Sequence, residues 1–293
     1  MGSMGRLRFT GRNYFARSWT LLTRAKGWPK TVLLLCVASL VPIVGPLFSL
    51  GYIVEWARLT AWGVDAYPKQ RGIRIGRCIA SGWRAFVIRL VYVFFFVSCY
   101  LGMRYLGGGN VFSTPSAAEL ALQPLVGCLA EALVDALVLR GTIYRRLGAG
   151  LHLGKAFEMV RRDPAGYLRV AAIDFVWTVV EELVVIVCLL PIATAVSSGA
   201  MSLSGSLAGG TGTLVRAVFE GMYPALVLAE VLMLVSEVMR MLVRDNAVAL
   251  WMLQFDVPRW GRDEDPLPGP EPVHLELPGG GIGQPGAPSA SGM

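Results

Sequence analysis

TVLLLCVASLVPIVGPLFSLGYIV, residues 31–54, contains no charged side chain. A helix crosses a bilayer with ~20 consecutive apolar residues, so this run is long enough to insert. Pro42-Ile-Val-Gly-Pro46 lies in its middle, and two prolines around a glycine interrupt a helix. Charge decides whether the run crosses once or folds back. Upstream, Arg6 to Lys30 holds lysines and arginines and no acid. Downstream, Arg58, Lys69, Arg71, Arg74, Arg77 and Arg84 face a single acid, Asp65. Cytoplasmic loops are the ones rich in Lys and Arg. Both flanks therefore read as cytoplasmic, and the sequence predicts a helical hairpin, Trp28–Val41 and Pro46–Trp62, that turns at Pro42–Pro46. Its first arm is short for a full crossing.

The rest of the chain has the same character. Of 293 residues, 54% are hydrophobic and 16% charged, and the mean hydropathy is +0.55. Soluble domains carry ~25% charged residues. The net charge of +7 would suit a nucleic-acid partner. Here the basic residues flank apolar runs, a placement that suits anionic headgroups. No nucleic acid is expected.

Further spans are predicted at about Ala85–Tyr105, Ala117–Leu139, Tyr167–Pro191 and Ala217–Leu242, with Arg140 opening a basic loop after the second of these and Arg240 and Arg244 marking the inner, membrane-surface end of the last. Ile75–Arg84 and Leu151–Val160 read as amphipathic stretches. Asp163-Pro164 is a helix start, an N-cap followed by proline at the first helical position. Gly107–Ser116 and Gly199–Gly212 read as loops on the face opposite the basic segments. The expected fold is all-α: a polytopic membrane helix bundle of about six hydrophobic segments, multi-pass in the inner membrane, with both termini cytoplasmic. Residues 1–27 read as a basic amphipathic interfacial segment, 28–253 as the bundle, and 254–293 as a disordered Pro/Gly-rich tail. The composition shifts most sharply after Trp260.

Acids at membrane depth are the candidate functional residues. Glu131 and Asp135 share one predicted span, Asp174 and Glu181 a second, Glu230 and Glu237 a third. Spacings of four and seven place each pair on one helix face. A charge at a helix centre costs ~2.5–3.5 kcal/mol, several times what one Leu returns. The three stripes are therefore expected to face inward and form a polar seam. Arg89 and Arg216 read as the only cations at depth, too few for six carboxylates, so several acids are expected to be protonated. Neutral acids would bond helices together at ~0.6 kcal/mol each. The alternative is a pathway for protons or cations.

Enzyme signatures are weak. Glu181-Glu182 is similar to the EExxxR motif of intramembrane CAAX-type proteases, but Ile186 stands where arginine should be. Ser204-Gly205 superficially suits a rhomboid-like protease without its histidine. His152 and His274 lie outside the spans, and the five cysteines have no CxxC spacing. No catalytic residue, metal or cofactor is expected. Anionic-lipid contacts are expected at Arg17, Arg24, Lys26, Lys30, Arg74, Arg77, Arg84, Arg145, Arg146, Arg161 and Arg162.

Three pieces carry a family resemblance. They are Lys26-Gly-Trp-Pro-Lys30 leading into Val41-Pro-Ile-Val-Gly-Pro46, a Gly-Tyr helix start at Gly51-Tyr-Ile-Val-Glu-Trp-Ala-Arg58, and Leu151-His-Leu-Gly-Lys-Ala-Phe157 with Arg161-Arg-Asp-Pro-Ala-Gly-Tyr-Leu168. On these the chain resembles the DUF4013 family of uncharacterised membrane proteins. The family's Leu-Pro-x-Trp element is Ala66-Tyr67-Pro68-Lys69 here, so the tryptophan is lost. The resemblance supports the fold and implies no activity. The expected role is a non-enzymatic membrane scaffold or assembly protein that binds anionic lipid, with a second copy or another membrane protein as partner. A transporter or channel is the alternative.

Overall fold

The computed structural model of the chain describes residues 13–68, 72–107, 114, 116–203, 211–255, 257 and 260. The tail from Gly261 and the Arg6–Arg12 part of the basic leader lie outside the described residues. Nine α-helices follow one another among the described residues, with no strand: α1 Tyr14–Thr23, α2 Trp28–Ser39, α3 Val44–Ala61, α4 Ile75–Leu106, α5 Ala117–Tyr144, α6 Leu147–Gly150, α7 Leu153–Arg162, α8 Pro164–Leu203 and α9 Thr211–Met252. A short 3-10 turn, Leu253–Phe255, ends the last helix. Of the described helices, α4 and α5 are long and apolar enough to cross a membrane; α2 is apolar but has only 12 residues.

Local chemistry sets the helix starts. Asn13 caps α1 by accepting the Ala16 N–H at 3.1 Å. Ser116 and Glu119 form a reciprocal capping box at the start of α5, satisfying two N–H groups the helix leaves open. Asp163 precedes Pro164 at the start of α8, and its Oδ1 accepts the Gly166 N–H at 2.9 Å. Its Oδ2 accepts from Trp251 Nε1 at 3.1 Å and Gln254 Nε2 at 2.8 Å, tying that start to the end of α9.

The chain does turn back between α2 and α3, through a tight reversal. The Val44 N–H donates to the Pro42 carbonyl at 2.7 Å across Ile43, whose φ of 65° and ψ of −60° are those of a classical γ-turn. That conformation is rare and strained, more so for a β-branched residue. Ile43 is 77% exposed, so its side chain gives little packing in return. Ile43→Gly is expected to raise stability by about 1 kcal/mol. A lower thermal midpoint in detergent would show that the isoleucine side chain outweighs the strain of its backbone.

Helices α3 and α4 meet backbone to backbone. A Cβ on Gly51 would lie 1.7 Å from the Cys78 carbonyl oxygen, and one on Gly82 1.8 Å from that of Leu47. Only glycine permits this approach. Gly51 thus lies in the middle of α3 and is not the helix start expected from the Gly-Tyr pair, because the helix already begins at Val44 after the γ-turn.

The buried core is formed by α1, one side of α2 (Val32, Leu35 and Cys36), the later half of α3, the first half of α4, the later half of α5, α7, the start of α8 and the end of α9. Three expectations change here. First, α1 does not simply lie on a surface. Ser18 Oγ donates to the Val243 carbonyl at 2.7 Å, and Leu21 and Leu22 are fully buried. Phe15 and Trp19 remain exposed. Second, the packed chain runs past residue 254, for Phe255, Val257 and Trp260 are buried. The Trp260 ring stacks on Tyr144 and takes the Arg140 guanidinium 5.3 Å from its centre, so Arg140 is a core residue and not part of a loop. Third, the loop expected at Gly199–Gly212 is helical at both ends, through Leu203 and from Thr211. Residues 204–210 lie outside the described set.

Candidate functional site

Four helices bring their charged faces to one place. On α9, Glu237, Arg240 and Arg244 are spaced three and four apart and share a face. Across from them stand Glu131 and Asp135 of α5, Asp174 and Glu181 of α8, and Arg89 of α4.

Arg244 is the hub, and it is 3% exposed. Its guanidinium meets Glu131, lies 3.1 Å from Asp174 Oδ1, and has its Nε 2.6 Å from Asp135 Oδ2. The last contact is an ion pair without hydrogen-bond alignment. Arg89 lies 2.8 Å from Asp135 and 3.5 Å from Asp245. Arg240 reaches Glu237 at 2.5 Å, Glu181 at 3.7 Å and Asp174 at 3.8 Å. Asp135 is shared by Arg89 and Arg244, and Asp174 by Arg240 and Arg244. The result is one connected network across α4, α5, α8 and α9.

The network gathers Glu131, Asp135, Asp174, Glu181 and Glu237 of the six expected acids. Glu230 is not brought in: it lies exposed on α9, two turns from Glu237. Asp135, Asp174 and Glu181 are buried, whereas half the Glu131 side chain is exposed. The cation count also changes. Arg240 and Arg244, expected at the membrane surface, stand among the acids because α9 continues to Met252. Asp245 also joins, a residue that sequence reasoning did not single out. A signal for the two arginines was present in their spacing from Glu237. No signal marked Asp245, which lies 3.5 Å from Arg89 of α4 and 3.7 Å from the neighbouring Arg244. Arg216 lies where no side chain is described.

Three guanidinium groups therefore face six carboxylates among the described residues. Such an array can brace helices. It can also present carboxylate oxygens to a solute, because it is open on one side. A cavity of about 310 Å³ between α4, α5 and α9 is lined by Glu131, Asp135, Glu237 and Arg240 at its charged end and by Val93 and Phe96 at its apolar end. Among the described residues, no group of three or more His, Cys, Asp and Glu is placed to hold a metal ion.

The expected lipid contacts divide into two groups. Arg24 is paired with Asp65 at 2.8 Å, and Arg17 lies 3.9 Å from the same acid. Arg84 donates to Ser81 Oγ at 2.9 Å. Lys26, Lys30, Arg74, Arg77, Arg145, Arg146, Arg161 and Arg162 are exposed. The basic residues at the start of α4, after α5 and at the end of α7 lie at one end of the helices, where α3, α5 and α9 finish and α4 and α8 begin.

A family model described as "Protein of unknown function (DUF4013)" matches residues 34–190, more than half of the chain. The match includes the γ-turn with α3, Arg89, and the acids of α5 and α8. No curated protein and no solved structure matches the chain.

Proposed function

The chain belongs to the DUF4013 family, and from that footing we propose that it is a non-enzymatic, multi-pass membrane protein that serves as a scaffold. Its helices pack around an internal charge brace, and its basic end faces anionic lipid on the cytoplasmic side. The observation that carries this reading is the distribution of apolar surface. Only 11% of the most apolar eighteen-residue stretch of α4 is buried. Val93, Phe94, Phe95, Val97 and Met103 point outward there, as do Val179, Val180, Leu183, Ile186 and Val187 on α8 and Leu228, Val231 and Leu232 on α9. A core helix of a water-soluble protein would hide such a stretch, and soluble monomers seldom expose apolar patches above ~600 Å². Hydrocarbon can cover this surface without cost, while the charges lie inside.

The topology that fits has the γ-turn hairpin entering from the cytoplasmic side, α4, α5, α8 and α9 crossing, and both termini inside. The protein is expected to stay in the membrane pellet after alkaline carbonate extraction. Single cysteines introduced into a cysteine-free chain should label from outside near Leu106 and only after permeabilisation near Gly148. Release by carbonate, or outside labelling of α1, would overturn this arrangement.

The open cavity beside Glu131 and Glu237 favours a second reading, passage of protons or cations. The two separate by flux into proteoliposomes. A scaffold gives no flux above empty vesicles. A transporter gives flux that Glu131→Gln and Glu237→Gln abolish while the fold persists.

A further inference from the structure

A second cavity, of about 360 Å³, lies at the junction of α3 and α4, away from the charge network. Its size falls in the range of small-molecule pockets, ~300–1,000 Å³. Tyr52 and Trp56 form its buried wall from α3, and Tyr67 closes one side from the connecting segment. Arg58, Arg74 and Arg77 supply cations and Glu55 an anion. The anion is already engaged, for Glu55 accepts from Arg58 at 2.9 Å and from Ser81 Oγ at 2.5 Å. Arg74 and Arg77 form no ion pair among the described residues, and both are exposed at the mouth. Two free guanidinium groups therefore flank an aromatic-walled hollow whose one carboxylate is occupied.

Guanidinium groups match phosphate oxygens in charge and geometry. We propose that this hollow binds a phosphate monoester or diester, held by Arg74 and Arg77 with its organic part against Tyr67 and Trp56. The group is supplied either by the headgroup of an anionic phospholipid or by a free phosphate compound. The lipid source rests on the membrane reading above, and the phosphate chemistry does not. The site differs from the other basic segments in having a cavity. Arg145, Arg146, Arg161 and Arg162 are exposed cations that line neither cavity described here.

The test uses the full chain purified in detergent, with native mass spectrometry against phosphatidylglycerol, phosphatidylcholine and inorganic phosphate. Three variants are compared: Arg74→Ala with Arg77→Ala, Arg161→Ala with Arg162→Ala as a basic control, and Leu59→Trp, which keeps every charge and fills the cavity. The parent is expected to retain phosphatidylglycerol over phosphatidylcholine. The Arg74/Arg77 pair should lose about thirty-fold in affinity, the effect of two surface arginines. Leu59→Trp should lose a similar factor, and the control should match the parent. The same pattern with inorganic phosphate but not with lipid also supports the site and assigns a free phosphate as its source. Equal losses in both arginine pairs with none in Leu59→Trp would mean diffuse attraction to the headgroup layer. That result overturns the pocket and leaves the membrane reading intact. Binding of neither probe to the parent overturns it too. Carbonate extraction reports on the membrane reading separately.

Discussion

Arg244→Leu is expected to cost about 3–5 kcal/mol and to leave little folded protein in detergent. Removing one partner of a buried ion pair costs about that much, because the other partner keeps its charge without compensation. Here one guanidinium serves Glu131, Asp135 and Asp174 together. Arg89 and Arg240 can reach Asp135 and Asp174, but Glu131 has no other arginine within ion-pair distance among the described residues. Arg244→Lys should be intermediate, since a single ammonium cannot address three carboxylates with the geometry of a planar fork. The decisive comparison is a double variant. Glu131→Gln added to Arg244→Leu removes the one charge left without an arginine and should recover part of the loss, a coupling that a double-mutant cycle isolates. Thermal unfolding followed in detergent measures all three. An Arg244→Leu protein within ~0.5 kcal/mol of the parent, the range of an ordinary surface change, would show that the charge network does not brace the helices.

Gly51→Leu and Gly82→Leu should be equally damaging for a steric reason. The first added carbon already falls 1.7 Å from the Cys78 carbonyl oxygen at Gly51, and 1.8 Å from that of Leu47 at Gly82. The obstacle is backbone, so no rotamer change relieves it, and α3 and α4 must part. Overpacking by a flexible neighbour costs ~1–3 kcal/mol, and these changes should exceed that range. Even alanine should be harmful at both sites. Gly102→Ala in the same α4 makes a sharp control, because its Cβ meets nothing within 4 Å. It should be neutral or gain up to ~1 kcal/mol from helix propensity. Yield of monodisperse protein by fluorescence-detected size exclusion reads both effects. Normal yield from Gly51→Leu would mean that the helices do not pack as described.

The contrast between these two sites reflects what a single sequence can carry. Apolar runs and their breakers are local, so the hairpin, the start of α8 at Pro164 and the long helices were legible from residues 31–54, Asp163-Pro164 and the spacing of charges. Acids at helix depth stood out because their cost is intrinsic to each residue. Partnership is not local. Arg240 and Arg244 close an apolar run, a position that equally suits a membrane-surface anchor. Only the continuation of α9 through Asn246–Met252 places them beside Asp135 and Asp174. The docking of α1 was hidden in the same way, since Leu21 and Leu22 would suit lipid as well as they suit α9. Glu230 shows the reverse error. A shared face with Glu237 was a sound inference from spacing, yet seven residues rise ~10.5 Å along the axis, which sets Glu230 apart from the arginines of the cluster.

The charge network also imposes an order on how the protein is made. The carboxylates of α5 and α8 leave the ribosome first, and their main cations arrive on the last helix. Arg244 follows Asp174 by 70 residues, a delay of about 4–14 s at ~5–20 residues per second. During that interval α5 and α8 carry Glu131, Asp135, Asp174 and Glu181 with only Arg89 to oppose them. The nascent chain must keep those groups in contact with water or with an insertion partner. The final helix therefore does more than extend the bundle. Its arrival completes the neutralising contacts and lets the earlier helices close around them.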